Sequence, residues 1–137
     1  LVHTWRGPLL YFSSGAPIGG GTQDIYVSRL GHHLDFGPPE AVTELNTAGY
    51  DDFMPNVSKD GREIVFASSS PGGFGASDIY TSVRHHGTWR EPVNLGDKVN
   101  TAGPESRPSL SSDGSRLYFG RSGDIYVSER GCRGGRH

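Results

Sequence analysis

The chain has 137 residues, a formal net charge of −2 at pH 7, and 33% hydrophobic and 20% charged residues. This near-neutral charge supplies no basic patch to displace counterions from phosphates, so the composition disfavours nucleic acid as a partner. No apolar run approaches the roughly 20 residues of a membrane-spanning helix, so no membrane span is expected. The single cysteine, Cys132, excludes an intrachain disulfide.

An internal repeat with a period near 54 residues dominates the sequence. Phe12, Phe66 and Phe119 lie 54 and 53 residues apart, and Asn46 and Asn100 lie 54 apart. A period in this range is typical of propellers and solenoids. Each copy therefore corresponds to one supersecondary unit.

The first copy occupies residues 1–44 and predicts strands B, C and D. Strand B is the apolar run at 10–12, strand C begins at Asp24 with alternating apolar and polar residues, and strand D covers 36–42. These strands are too short and too rich in aromatic and β-branched residues to be helices. The first copy is thus predicted to be a partial blade with an uncertain strand A.

Residues 1–7 leave two alternatives open. They form strand A, although His3 then stands where the other copies have Val57 and Leu110. Alternatively, they are a leftover strand D, because a Thr-Trp-Arg tripeptide surrounds both Trp5 and Trp89.

The second copy, residues 45–98, predicts a complete blade. Strand A covers 55–58, and an Asp-Gly turn at Asp60 connects it to strand B at 64–66, since glycine tolerates the positive φ of tight turns. Strand C begins at Asp78, and strand D runs from Trp89 to Leu95. Its proline suits an edge position, because proline cannot donate to a ladder.

The third copy, residues 99–130, predicts strands A, B and C at 108–111, 117–119 and from Asp124, with the turn at Asp113. Residues 131–137 are predicted to be a disordered tail. Four antiparallel strands per period describe one propeller blade. The predicted fold is all-β, a partial β-propeller of four-stranded antiparallel blades, with about two to three blades and an unclosed ring.

A family resemblance rests on these motifs taken together. They are W-x-x-P-x-N-L-G at 89–96, V-N-T at 99–101, P-x-L-S-x-D-G-x-x-L-Y-F at 108–119 and G-G-x-G-x-x-D-I-Y at 72–80. The combination resembles the WD40-like (PD40) repeats of TolB-type bacterial β-propellers. It is most similar to the propeller segments of OmpA-like peptidoglycan-associated proteins.

The resemblance implies a non-catalytic scaffold in a bacterial envelope or secreted protein, periplasmic or extracellular, that binds a protein or a glycan. The alternative is the propeller portion of a TolB-like hydrolase (peptidase) or lyase whose catalytic residues lie outside this chain. The sequence contains no nucleophile elbow, zinc-protease helix or phosphate-binding loop. We therefore expect no enzyme activity, catalytic residue, cofactor or metal site.

Too few copies are present to close a ring, which typically has 4 to 8 blades. We therefore expect a fragment of a larger propeller or a truncated gene product. Its open blade faces need neighbouring blades or self-association, because repeat units bury their apolar faces on adjacent units.

Chain direction places the D–A and B–C loops on one face of the blades. This loop face carries acids and aromatics, and aromatic residues are favoured at interfaces. The candidate binding residues are Tyr50, Asp51, Asp52, Phe53, Phe74, Asp78 and Glu105.

A second set of recurrent residues is predicted to be structural. Each Asp-Ile-Tyr acid fixes its hairpin through backbone N–H groups, in preference to forming a cation site. The structural set is Phe12, Phe66, Phe119, Asp24, Asp124, Asp60, Asp113 and Trp89.

Two further motifs invite metal interpretations. The glycine-rich loop before Asp78 differs by one residue from the spacing of calcium-binding repeats, so a tolerant hairpin is favoured over calcium. The histidine pairs 32–33 and 85–86 invite zinc, but adjacent residues are expected to point apart. We therefore expect solvated loop histidines.

Overall fold

The structure, a computed structural model, describes residues 1–4, 6–15, 22–31, 33 and 35–130. These residues form three antiparallel sheets and no α-helix, which confirms the predicted all-β fold. None of the sheets closes into a barrel. No helix in this part of the chain has the length and apolar character needed to cross a membrane.

The first sheet has the order β1-β2-β3-β4. Its strand β1 takes the strand A position and pairs with β2 through Val2 opposite Leu9. Val2 is buried in the core and His3 is exposed, so Val2 supplies the apolar contact that His3 cannot. The bounds are Val2–Thr4 (β1), Gly7–Ser14 (β2), Asp24–Arg29 (β3) and Glu40–Ala41 (β4).

The second sheet contains five strands because the predicted strand D is divided. Both β8 and β9 pair with β7, and Pro92, which has no N–H to donate, lies in the gap between them. The bounds are Asp52–Val57 (β5), Glu63–Ser68 (β6), Asp78–His85 (β7), Thr88–Trp89 (β8) and Val93–Asn94 (β9).

The third sheet has three strands in the order β10-β11-β12, which are the predicted A, B and C. The predicted tail at 131–137 lies outside the described residues. The bounds are Glu105–Leu110 (β10), Arg116–Arg121 (β11) and Asp124–Glu129 (β12).

The sheets pack face to face around two apolar clusters. The first cluster joins one face of the first sheet, including Leu9 and Ile25, to Ile64 and Phe66 of the second. The second cluster joins the opposite face of the second sheet, including Ile79, to the third. Each sheet thus follows the one before it in a linear stack.

An aromatic pair recurs inside every sheet. Phe12 stacks on Tyr26 with ring centroids 6.0 Å apart. Phe66 on Tyr80 and Phe119 on Tyr126 repeat this at 6.1 and 6.0 Å. The recurring phenylalanine therefore occupies one equivalent cross-strand position in all three sheets.

The A–B turns are built identically in the second and third sheets. Ser58 Oγ donates to Asp60 Oδ1 at 2.7 Å, and the Arg62 N–H donates to the same oxygen at 3.0 Å. Asp113 is held in the same way by Ser111 and Ser115. Hydrogen bonds from the Ser115 backbone and hydroxyl lower the pKa of Asp113 to about 2.

Strand A carries a bulge just before its proline. Met54 and Arg107 have φ of 55° and 49°, and the pairing register shifts at both sites. A positive φ is strained for a residue with a Cβ. The same local strain is therefore repeated in successive sheets.

Candidate loop-face binding surface

The loops that follow strands B and D meet at one edge of the sheets. We call this edge the loop face and define it by residues 43–51, 69–77 and 95–104. Hydrogen bonds join neighbouring sheets there: the Asp52 N–H donates to Gln23 O at 2.9 Å, and the Glu105 N–H donates to Ser77 O at 3.0 Å. These two bonds connect the end of each B–C loop to the first strand of the next sheet.

Asp52, at the start of β5, is fully buried. Its Oδ2 accepts from the Thr47 N–H and its Oδ1 accepts from Ser68 Oγ, both at 2.6 Å. Burial raises the pKa of Asp52, and the bonds from Ser68 and Thr47 oppose that rise. The carboxylate therefore fastens the incoming linker onto strand β6.

Glu105 occupies the equivalent position of the third sheet and is also fully buried. The Thr101 N–H donates to its Oε1 at 2.9 Å, and Thr101 Oγ1 donates to its Oε2 at 2.6 Å. Arg121 Nε, which stands where the second sheet has Ser68, donates to Oε2 at 3.2 Å. A longer acid paired with arginine thus replaces the Asp52–Ser68 pair.

Asp78 begins β7 and is buried. Its Oδ2 accepts from the Phe74 N–H at 2.6 Å and from Asn94 Nδ2 at 3.1 Å. A Cβ at Gly73 would overlap the carboxylate, so a larger residue there would have to displace it. Asp78 therefore fixes the glycine-rich loop, as predicted for the Asp-Ile-Tyr acids.

The other two Asp-Ile-Tyr acids differ from Asp78. Asp24 is half-buried, and Asp124 is exposed at the end of a hairpin that has shrunk to Ser122 and Gly123. Such a short turn has no long loop for the acid to hold. The hairpin-fixing role is thus present in the second sheet and absent from the short turn of the third.

The burial of Asp52, Asp78 and Glu105 corrects their assignment as surface binding residues. Each carboxylate is turned inward and accepts from a backbone N–H, since a buried charge needs hydrogen-bond donors, although Asp78 Oδ1 has no donor among the described residues. Their role at the loop face is to hold the loops in place.

The four other candidates divide into two pairs. Tyr50 and Phe74 are 40% and 49% exposed. Asp51 is half-buried, with Oδ1 accepting from the Gln23 N–H at 2.8 Å. Phe53 packs against the second apolar cluster and seals one sheet onto the next. Two aromatic side chains therefore form the accessible apolar part of the surface.

A polar cavity of about 460 Å³ lies beside the linker at residues 44–48 and is also lined by Asp52. Its walls include the hydroxyls of Ser70 and Tyr80 and the carboxylates of the exposed Glu44 and Glu91. These groups can donate and accept hydrogen bonds. The sequence did not suggest this cavity, because its walls come from residues 44–48, 52, 66–71, 80 and 91–92, which only folding brings together.

The loop face is acidic. Its defining segments contain three acids, Glu44, Asp51 and Asp97, against one cation, Lys98. This charge disfavours polyanionic partners.

Two asparagines at this edge also escaped the sequence-based assignment. Asn46 and Asn100 each accept from a backbone N–H of the preceding sheet at 2.7 Å and donate to its C=O at 3.1 Å, at Ile25 and Ile79 respectively. Their recurrence 54 residues apart was the available signal. They fasten each linker to the sheet that it leaves.

The described histidines lie at the opposite edge. His86, with φ 53°, and Gly87, with φ 80°, form the tight turn between β7 and β8. The rings of His85 and His86 contact edge to face at 4.0 Å, so the expectation that they point apart was wrong. Among the residues that the structure describes, no three His, Cys, Asp or Glu side chains gather as a metal site; His32 is outside them.

Comparison with known proteins adds no relative: no profile of a known protein family matches the chain, and a search of curated proteins finds no match.

Proposed function

We propose that this chain is a non-catalytic β-propeller repeat module that binds a protein or glycan partner through its loop face. The observation that carries the proposal is the exposure of Tyr50 and Phe74 on loops held by buried carboxylates. The resemblance to TolB-type propellers favours a bacterial envelope or secreted protein as its context, in the periplasm or outside the cell.

The propeller interpretation is supported by how the sheets repeat. Successive sheets pack face to face through equivalent positions, and each strand A contacts the sheet before it. The Phe–Tyr stack, the Ser-x-Asp-Gly turn and the asparagine clamp recur at the same places. Such regular stacking of antiparallel sheets is characteristic of propeller blades.

Rigidity makes the two exposed aromatics suitable anchors. The Phe74 N–H is bound by Asp78, which is itself held by Asn94. The Tyr50 N–H donates to Thr47 O at 3.1 Å, and Thr47 is fixed by Asp52. A preorganised loop backbone loses little conformational entropy on binding, so more of the contact energy of the aromatic rings contributes to affinity.

The chemistry of the surface suits a neutral or basic partner. Aromatic rings pack against sugar rings or apolar side chains, and the hydroxyls and carboxylates of the neighbouring cavity accept hydrogen bonds from hydroxyl or ammonium groups. A basic protein segment and an uncharged glycan both meet these requirements.

Two probes test the proposal with the purified chain. Co-sedimentation with isolated peptidoglycan sacculi tests the glycan partner, and selection from a displayed random-peptide library tests the protein partner. We expect one probe to bind, and we expect the double variant Tyr50→Ala/Phe74→Ala to weaken that binding at least about tenfold, since aromatic anchors dominate interfaces.

Phe36→Ala provides the matched control, because Phe36 is 47% exposed but pairs with Leu30 away from the loop face. The control should bind as the unaltered chain does. Failure of both probes, or equal loss in the control, would contradict the proposal.

A further inference from the structure

The isoleucine of the Asp-Ile-Tyr motif has a different environment in the last sheet. Ile25 and Ile79 are both 0% exposed, whereas Ile125 is 82% exposed. Ile25 is covered by the second sheet and Ile79 by the third. Among the described residues, nothing comparable covers Ile125.

This exposure extends over one apolar face of the third sheet. Tyr118 and Val127 are directly opposite each other on β11 and β12 and are 38% and 55% exposed. Tyr118 is equivalent to Val65, which is buried in the second sheet. We call Tyr118, Ile125 and Val127 the trailing face.

The covering surface has one composition at both internal interfaces. It presents the recurring phenylalanine and the apolar residue two positions before it: Ile64 and Phe66 over the first sheet, and Leu117 and Phe119 over the second. At both interfaces this surface packs on a face that is equivalent in position to the trailing face. A surface of the same composition would therefore complement the trailing face.

The first sheet carries the same surface on its outer side. Leu9 and Tyr11 of β2 point into the first cluster, so Leu10 and Phe12, which alternate with them, point away from the second sheet. Both are half-buried, whereas their equivalents Ile64 and Phe66 are almost fully buried. We call Leu10 and Phe12 the leading face; Tyr26, on which Phe12 stacks, is already buried.

We propose that the leading face of a second copy of this chain covers the trailing face, and that two copies close head to tail into one ring of six sheets. The contact repeats the relation already present twice inside the chain. A head-to-tail interface forms a ring when its rotation closes, and six lies within the 4 to 8 blades of known propellers. The proposal rests on the propeller arrangement proposed above, but not on the loop-face partner.

Sedimentation velocity and light scattering from about 1 to 100 μM test the proposal without any ligand. We expect a reversible dimer near twice the 14.8 kDa chain mass. Ile125→Asp should raise the dimer dissociation constant at least about tenfold, since it buries an unpaired charge. The residue is largely exposed in the single chain, so the variant should fold, as circular dichroism would verify.

Val93→Asp is the matched control, because Val93 is 61% exposed on β9 and belongs to neither face. It should leave the dimer intact. A chain that stays monomeric throughout, a ladder of larger species, or equal effects of both variants would overturn the proposal.

A mixing experiment tests the direction of the contact. Leu10→Asp should also abolish the dimer, because it damages the leading face. Mixed with Ile125→Asp, it should restore a weaker heterodimer, since the pair retains one intact leading face and one intact trailing face. A dimer insensitive to Leu10→Asp would indicate that trailing faces pair with each other and would overturn the head-to-tail arrangement. Loss of loop-face binding by Tyr50→Ala/Phe74→Ala leaves all these outcomes unchanged.

Discussion

Asn100 pairs with the backbone of Ile79 as a neighbouring strand would. Its Oδ1 accepts from the Ile79 N–H at 2.7 Å, and its Nδ2 donates to the Ile79 C=O at 3.1 Å. The same Nδ2 donates to Asn94 Oδ1 at 2.9 Å. One buried carboxamide thus completes the ladder of β7 beyond the end of β9 and fixes the linker to the third sheet.

Asn100→Ala should lower the free energy of unfolding by about 1–3 kcal/mol. The change leaves the Ile79 N–H buried without a partner, which costs about that much, whereas the Ile79 C=O still accepts from the Leu95 N–H at 3.1 Å. Urea unfolding followed by circular dichroism measures the loss. Asn56→Ala, which removes one bond to the Leu110 N–H, is the control and should cost less. Equal losses would argue against the clamp.

Phe66→Ala should destabilise the fold by about 3–5 kcal/mol, as large-to-small aromatic changes in cores do. Phe66 is fully buried between the first and second sheets. Phe12→Ala removes the equivalent ring from the half-buried outer side of the first sheet and should cost less. Thermal or urea unfolding of the two variants compares them, and the reverse order would contradict the assigned packing.

Asp52 makes stability depend on pH in an identifiable direction. Because burial raises its folded-state pKa above 3.8, the folded chain holds this proton to higher pH than the unfolded chain. The resulting stabilisation is complete below pH 3.8 and is lost as pH rises through the folded pKa. Asp52→Asn should remove this decline, as urea unfolding across that window would show.

Ser68→Ala supplies the opposite control for Asp52. The Ser68 hydrogen bond lowers the pKa of Asp52, so its removal should move the decline in stability to higher pH. An unchanged profile in both variants would mean that Asp52 does not carry the pH dependence.

Arg107→Gly should leave stability unchanged or raise it by up to about 1 kcal/mol, because glycine relieves the positive φ of 49° at this exposed bulge. Ser109→Gly, at an exposed position of the same strand without a positive φ, should instead cost about 0.5–1 kcal/mol. Chemical denaturation distinguishes the two. A loss in both variants would show that the bulge stores no relievable strain.

Local signals in the sequence were sufficient to predict the position of most of the strands. The Asp-Gly turns, the apolar runs ending in phenylalanine and the Asp-Ile-Tyr alternation each depend on residues close together in the chain. Strand D was predicted as continuous from Trp89 to Leu95, but it is broken at Pro92. A proline constrains its own backbone strongly, yet where the ladder resumes depends on the neighbouring strand.

Burial at the loop face could not be predicted from the sequence. Asp51 and Asp52 are adjacent and chemically identical, but only Asp52 points inward. Its orientation is decided by Ser68, which is 16 residues away, and by the linker at Thr47. The two asparagine clamps were visible as a repeat, but their partners lie 21 residues earlier in the chain.

The asparagine clamp also defines how such a chain can grow. Asn100 lies in the linker that leads to the third sheet, but its side chain is hydrogen-bonded to the second sheet. A segment that spans residues 47–100 therefore contains a sheet and the asparagine that clamps it. A segment that ends with the last strand of the sheet lacks that asparagine. Duplication of such a segment would add one sheet together with the asparagine that connects it to the next linker.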